Sequence, residues 1–177
     1  MKSMHRYSNL SSDEIARLQA LRKLKILDSP YETLFDCITR AASEICKTPI
    51  ALISFVDEDR QWFKAKVGID GITETPRELA FCADTILSAE VLEVLDTLED
   101  ERYKDNPLVL GYPHIRFYAG APISLPLGER IGSLCVIDTK PGELNQYQKA
   151  ALEGLAKVIS QALLIRDMNA RANQANP

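Results

Sequence analysis

Residues 115–138 read IRFYAGAPISLPLGERIGSLCVID, and this stretch decides the fold. It predicts two long strands joined by the turn Leu127-Gly128-Glu129-Arg130, with Gly128 free to take a positive φ. Setting Leu127 opposite Arg130 pairs Ser124 with Ser133, Pro122 with Cys135 and Gly120 with Ile137. Side chains alternate across a strand. One face then carries Phe117, Ala119, Ala121, Ile123, Leu125, Leu134 and Val136, and is fully apolar. The other carries Tyr118, Gly120, Ser124, Ser133 and Cys135. The apolar face needs a cover of helices. The small, mixed face suits the floor of a cavity, with a plain hairpin core as the alternative. Burial on both faces places this hairpin at the centre of a sheet.

Working outward, Ile50 to Val56 is apolar on both faces and predicts another central strand. Asp57-Glu58-Asp59-Arg60 predicts a hairpin turn. The strand Gln61 to Val67 then alternates, with Phe63, Ala65 and Val67 inward and Trp62, Lys64 and Lys66 outward. Lysines facing out suit a strand near an edge. Ser11, Ser12 and Asp13 can cap a helix running towards Asp28, ended by Pro30. Its residues Ile15, Leu18, Leu21, Leu24 and Leu27 recur every third position, so the apolar surface wraps around it. A second helix over Tyr31 to Cys46 carries Leu34, Ile38, Ala41 and Ile45 as its core stripe. A loop over Gly68 to Arg77, a helical turn from Ala83 and a short strand from Val91 to Leu95 follow. The acidic segment Asp96 to Asn106 reads as irregular, and a long helix fills residues 143–170. One domain over 11–170 is expected, with a flexible start at 1–10 and a frayed tail at 171–177.

The 177 residues suit a single domain, and 46% hydrophobic with 26% charged residues is ordinary globular composition. A net charge of −4 gives no basic field for nucleic acid. The four cysteines, Cys37, Cys46, Cys82 and Cys135, form no CxxC pair and read as reduced thiols of a cytoplasmic protein. No run is long enough to span a membrane. The two histidines, His5 and His114, have no ligand spacing, so no metal is expected. The acidic residues Asp96, Glu99, Asp100, Glu101 and Asp105 lack an EF-hand pattern, and no glycine-rich phosphate loop occurs. Cys82 stands where an extended segment meets a helix start, a position that activates a thiol, but Asp84 opposes the effect and a packing role is expected.

Six pieces in order, ILDSPYETLFDCIT, ALISFVDEDRQWFKAKVG, RELAFCADTI, DTLEDERYKDNPLV, RFYAGAPI and GSLCVID, resemble the GAF family of bacterial sensory domains. The resemblance covers about residues 20–167 and is closest to the subgroup found beside histidine kinases and diguanylate cyclases. It implies an α+β, PAS-like fold. A central antiparallel sheet of five or six strands has the terminal helices on one face and pocket-forming loops and short helices on the other. Bilin binders of the family carry a Cys-His pair and an Asp-Ile-Pro motif, and cyclic-nucleotide binders an Asn-Lys-x-x-Phe signature. This chain has neither. No cofactor is expected.

The reading is a regulatory module, not an enzyme, that binds a small molecule or dimerises to control an output domain in trans, a histidine kinase or diguanylate cyclase. A thiol redox enzyme resembling free methionine sulfoxide reductase, with Cys82 as nucleophile, is the second reading. A pure dimerisation module with a degenerate pocket is the third. The mixed hairpin face and the resemblance together nominate Phe81, Cys82, Asp96, Arg102, Tyr103, Asn106, Tyr118, Ser133 and Cys135 for ligand binding. Arg102 suits an anionic group unless it pairs with Asp96 or Asp105. A homodimer through the terminal helices is expected. In the long helix Leu144, Tyr147, Ala151, Leu155, Val158, Ala162 and Ile165 read as the core stripe, leaving Leu152, Ile159 and Leu163 for a partner.

Overall fold

A computed structural model describes residues 11–175, with side chains through residue 172. The expected flexible start lies outside the described residues. The sheet is antiparallel and six-stranded, in the order β3-β2-β1-β6-β5-β4. Its strands are β1 (Ile50–Val56), β2 (Arg60–Val67), β3 (Glu74–Pro76), β4 (Leu92–Val94), β5 (Phe117–Ser124) and β6 (Arg130–Asp138). The helices are α1 (Ser12–Lys23), α2 (Thr33–Cys46), α3 (Phe81–Thr85), α4 (Pro107–Leu110) and α5 (Gln146–Ala175). The fold is α+β, with the β5–β6 hairpin inside the sheet as its two-faced burial requires.

Two cores share the sheet. On one face Phe117, Ala119, Ala121, Ile123, Leu134 and Val136 pack against α1, α2 and α5. On the other, Tyr118, Cys135 and Ile137 pack against α3 and the loops around it. Each aliphatic side chain removed fully from water contributes about 1.5–3 kcal/mol. The face assignment holds, but the register differs by two residues. Gly120 pairs with Cys135 and Pro122 with Ser133. A step of two keeps every side chain on its face. The loop is longer than a two-residue turn: Leu125 N donates to Glu129 O and Gly128 N to Leu125 O, and the ladder shifts at Ile123/Ser124.

The strand β2 departs from simple alternation. Ile53 faces Ala65 and Ser54 faces Phe63, so Lys64 is an inserted bulge residue. Trp62 and Ala65 therefore join the helix-side core, while Phe63 joins the opposite one. Lys64 does not guard an edge; its side chain is 0% exposed. It is tolerated because its ammonium donates to Ser29 Oγ (2.9 Å), Pro30 O (2.5 Å) and Glu32 Oε1 (2.8 Å). The outer strand is β3, in the segment expected to be loop.

The helices turn different faces inward from those expected. In α2 Phe35, Ile38, Thr39, Ala42 and Cys46 are buried, and Leu34 and Ile45 are exposed. Both stripes have helical spacing, and the one with the aromatic ring removes more area from water. In α5 Leu152, Ala156, Ile159 and Leu163 are buried, whereas Tyr147, Val158 and Ile165 are exposed. The strip assigned to a partner is the core; of the strip assigned to the core, Leu144 is buried, Leu155 and Ala162 pack at the core's edge, and Tyr147, Val158 and Ile165 lie outside. Asn145 caps α5, its Oδ1 accepting from Tyr147 N and Gln148 N. The helix continues to Ala175, beyond the expected boundary.

The helix α1 is held by a buried arginine. Ser11 caps its start, accepting from Glu14 N. Arg17 NH1 donates to Val56 O (2.6 Å), and its other nitrogens grip both Glu14 oxygens at 2.7 Å. Arg77, just after β3, donates to the same carboxylate at 2.6 Å. One acid thus joins α1, the end of β1 and the entry to α3.

Candidate functional site

The face opposite the long helices carries the site. A single 3-10 turn at Arg77–Leu79 delivers the chain to α3, whose first residues Phe81 and Cys82 point down onto the sheet. The Phe81 ring stacks between Tyr103, 4.2 Å away, and Tyr118, 5.0 Å away. Tyr103 OH donates to Asp84 (2.6 Å). Burial and this carboxylate both push the Tyr103 phenol well above its ordinary range. The Tyr118 ring lies along β5 over Gly120, where an added Cβ would meet its hydroxyl at 2.3 Å. Only glycine leaves room for the ring there.

Beneath Phe81 is a closed cluster of sulfur and hydroxyl groups. Cys82 Sγ lies 2.9 Å from Ser133 Oγ, 3.1 Å from Ser54 Oγ, 3.3 Å from Tyr118 OH and 3.9 Å from Cys135 Sγ. Tyr118 OH also bonds Thr85 Oγ1 (2.7 Å). Burial opposes ionisation of Cys82. Hydrogen bonds from Cys135, Ser133, Ser54 and Tyr118 outweigh it and bring the thiol down to about 7. The Cys135 thiol is pushed up by the same contact and by burial, and the Tyr118 phenol by burial and the nearby sulfurs.

A cavity of about 30 Å³ adjoins this cluster, room for a molecule of about water size. Its wall is apolar, from Leu52, Phe63, Ile69, Ile115 and Ile137, with both sulfurs on it. Gln61 also lines it. Its Nε2 donates to Thr75 Oγ1 (3.3 Å), while its buried Oε1 has no partner.

The nominated residues separate into two groups. Phe81, Cys82, Tyr103, Tyr118, Ser133 and Cys135 come together. Asp96 lies apart in an ion pair with Arg116 (2.7 Å), which lowers its pKa. Arg102 pairs with Asp100 (2.7 Å), a different acid from those considered, and lies over the outer side of Tyr103. Asn106 caps α4 and donates to Leu79 O (3.0 Å). Ser54, Gln61 and Thr85 are site residues the sequence reading missed. Ser54 carried a signal, as a lone hydroxyl in the apolar run IALISFV. Among the described residues no group of His, Cys, Asp and Glu could hold a metal ion. No helix among them is long and apolar enough to cross a membrane.

A family model for the GAF domain matches residues 30–163. The chain belongs to the GAF domain family. It is 46% identical over 148 residues to a protein named cyclic di-GMP phosphodiesterase from Pseudomonas aeruginosa. That match covers 83% of this chain but 25% of the relative, so the chain spans about a quarter of the relative's length. Among solved structures, the GAF domain of an Acinetobacter phosphoenolpyruvate-protein phosphotransferase superposes with a TM-score of 0.62. It is 16% identical and covers 92% of this chain and 99% of that one. A type II free methionine-R-sulfoxide reductase from Thermoplasma acidophilum gives a TM-score of 0.55 at 14% identity, covering 73% and 94% of the two chains. These structural likenesses share the fold. The GAF chain is a regulatory module of signal transduction. The expectation that the chain is not an enzyme is corrected: its 46% identical relative is named a cyclic di-GMP phosphodiesterase.

Proposed function

We propose that this GAF domain senses a small molecule in the cavity beside Phe81 and Tyr118, and through it sets the turnover of a cyclic di-GMP phosphodiesterase. The observation that carries the reading is the partnerless Gln61 carbonyl in an otherwise apolar cavity. A buried acceptor without a partner costs about 1–3 kcal/mol, which a ligand donor would recover. The occupant would be small enough for this cavity, with one N–H or O–H group directed at the Gln61 carbonyl. The identity with the named phosphodiesterase supports the choice of output. The test is cyclic di-GMP hydrolysis by a longer protein carrying this chain, with and without Phe81→Ala. Native mass spectrometry of both forms accompanies it. A bound mass lost in the variant, with turnover altered about fivefold or more, is expected. Unchanged turnover refutes the control; no bound mass in either form refutes the ligand.

A partly exposed apolar strip on α5, its inner members Leu155 and Ala162 packed at the edge of the core, supports a homodimer as the assembly. Ala151, Leu155, Val158, Ala162 and Ile165 follow a four-three-four-three spacing, with Val158 47% and Ile165 57% exposed. That is the seam of a two-stranded coiled coil. Sedimentation equilibrium at micromolar concentration should find a dimer; a monomer there refutes it. Unpaired thiols suit a reducing, cytoplasmic setting for this assembly.

A further inference from the structure

We propose that Cys82 and Cys135 are a peroxide-responsive dithiol. In this reaction a small neutral hydroperoxide oxidises Cys82, and Cys135 closes a reversible disulfide. This goes beyond the sensing of a ligand and does not depend on it.

Four observations converge. The two sulfurs are 3.9 Å apart, so about 2 Å of approach makes the bond. Cys82 sits on α3, a helix of five residues between loops, while Cys135 is fixed in a central strand. The approach therefore falls to α3. Next, three hydroxyls and one thiol surround Cys82 Sγ, an arrangement that stabilises a sulfur anion by hydrogen bonds. Third, the contact with Cys82 and burial push the Cys135 thiol up, so Cys82 is the sulfur of the pair that ionises first. Fourth, both cysteines line the cavity of about 30 Å³, whose largely apolar wall suits a water-sized neutral solute better than charged or bulky oxidants. Cys37 is exposed but lies outside the cluster, and Cys46 is buried in the other core.

The chemistry balances with hydrogen peroxide as oxidant. The Cys82 sulfur attacks one peroxide oxygen, the O–O bond breaks, and the other oxygen leaves as hydroxide and takes a proton to become water. Cys82 is then a sulfenic acid. The Cys135 sulfur attacks the Cys82 sulfur, the S–O bond breaks, and the hydroxyl leaves as water with the Cys135 proton. Two thiols and one peroxide give one disulfide and two waters, and a dithiol reductant reverses the change. The new bond would tie α3 to the sheet floor and take Cys82 away from Tyr118.

The test is oxidation of the native chain by hydrogen peroxide, quenched with N-ethylmaleimide and read by peptide mass spectrometry. A crosslink between the peptides of Cys82 and Cys135 is expected, with Cys37 still alkylated. Cumene hydroperoxide, too large for the cavity, should act about tenfold more slowly or worse. Cys135→Ser should stop at a sulfenic acid on Cys82 that dimedone traps. If that variant does not fold, the crosslink and the rate ratio on the native chain decide. Oxidation of Cys37 ahead of Cys82, absence of the crosslink in excess peroxide, or equal rates with the two hydroperoxides would overturn the proposal.

Discussion

Glu14→Gln should destabilise the domain in a way that depends on pH. In the folded chain two guanidiniums converge on this carboxylate, Arg17 through both oxygens and Arg77 through one. Desolvation raises its pKa, but those bonds and charges bring it from 4.5 down to about 2. The folded pKa is depressed, so the stabilisation is present above 4.5 and is lost as pH falls towards 2. At about 1.4 kcal/mol per unit the full shift corresponds to about 3 kcal/mol. The carboxylate keeps 18% of its exposure, and solvent screening reduces this to about 1–2 kcal/mol. For a domain of this size that lowers Tm by about 3–6 °C at neutral pH. Urea unfolding of parent and variant across pH 2 to 7 measures the difference. It should be largest above pH 4.5 and close to zero near pH 2, where a protonated glutamic acid resembles glutamine. Other acids titrate in both proteins and cancel. A difference that stays constant from pH 7 to pH 2 refutes the ionic account of this cluster.

Ile159→Asp, at a fully buried position, should cost more than about 4 kcal/mol and leave little folded protein, whereas Val158→Asp on the exposed strip should keep the fold and weaken the dimer. Circular dichroism with sedimentation separates the two, and equal loss of fold in both contradicts the assignment of faces on α5. Gly132→Ala would place a Cβ 2.0 Å from the Ser54 carbonyl oxygen, so it should part β1 from β6 and lower Tm by about 5 °C or more. An unchanged melt would show that the strands can separate at no cost. Tyr118→Phe removes one donor from Cys82 and should raise the pKa of that thiol, seen as thiolate absorbance appearing at higher pH. A titration unchanged from the parent rejects the role given to the phenol.

The parity of the β5–β6 hairpin was legible because alternation depends only on whether residues are odd or even along a strand. Its register was not, because the loop from Leu125 to Glu129 closes on its own hydrogen bonds, which residue types do not reveal. Lys64 misled for the same reason: a bulge reverses the pattern, and nothing in RQWFKAKV marks it. On α2 and α5 two apolar stripes competed, and only contact with the sheet selects between Leu34 and Phe35, or between Val158 and Ile159. In the site, Phe81, Cys82, Tyr118 and Cys135 followed from hairpin parity and family resemblance. Gln61 escaped because its importance lies in a missing partner, which no sequence displays.

The inserted residue in β2 links the cavity side of the sheet to the last helix. Phe63 faces the cavity, and its neighbour Lys64 faces the helices with an ammonium that has no solvent to fall back on. That ammonium shares Glu32 with Arg166 of α5, whose Nε lies 3.2 Å from the same oxygen. A cavity occupant that pushed Phe63 aside would tip Lys64 away from Glu32. The carboxylate would then lean wholly on Arg166, and a displacement at the site would become a change in how tightly the last helix is tethered.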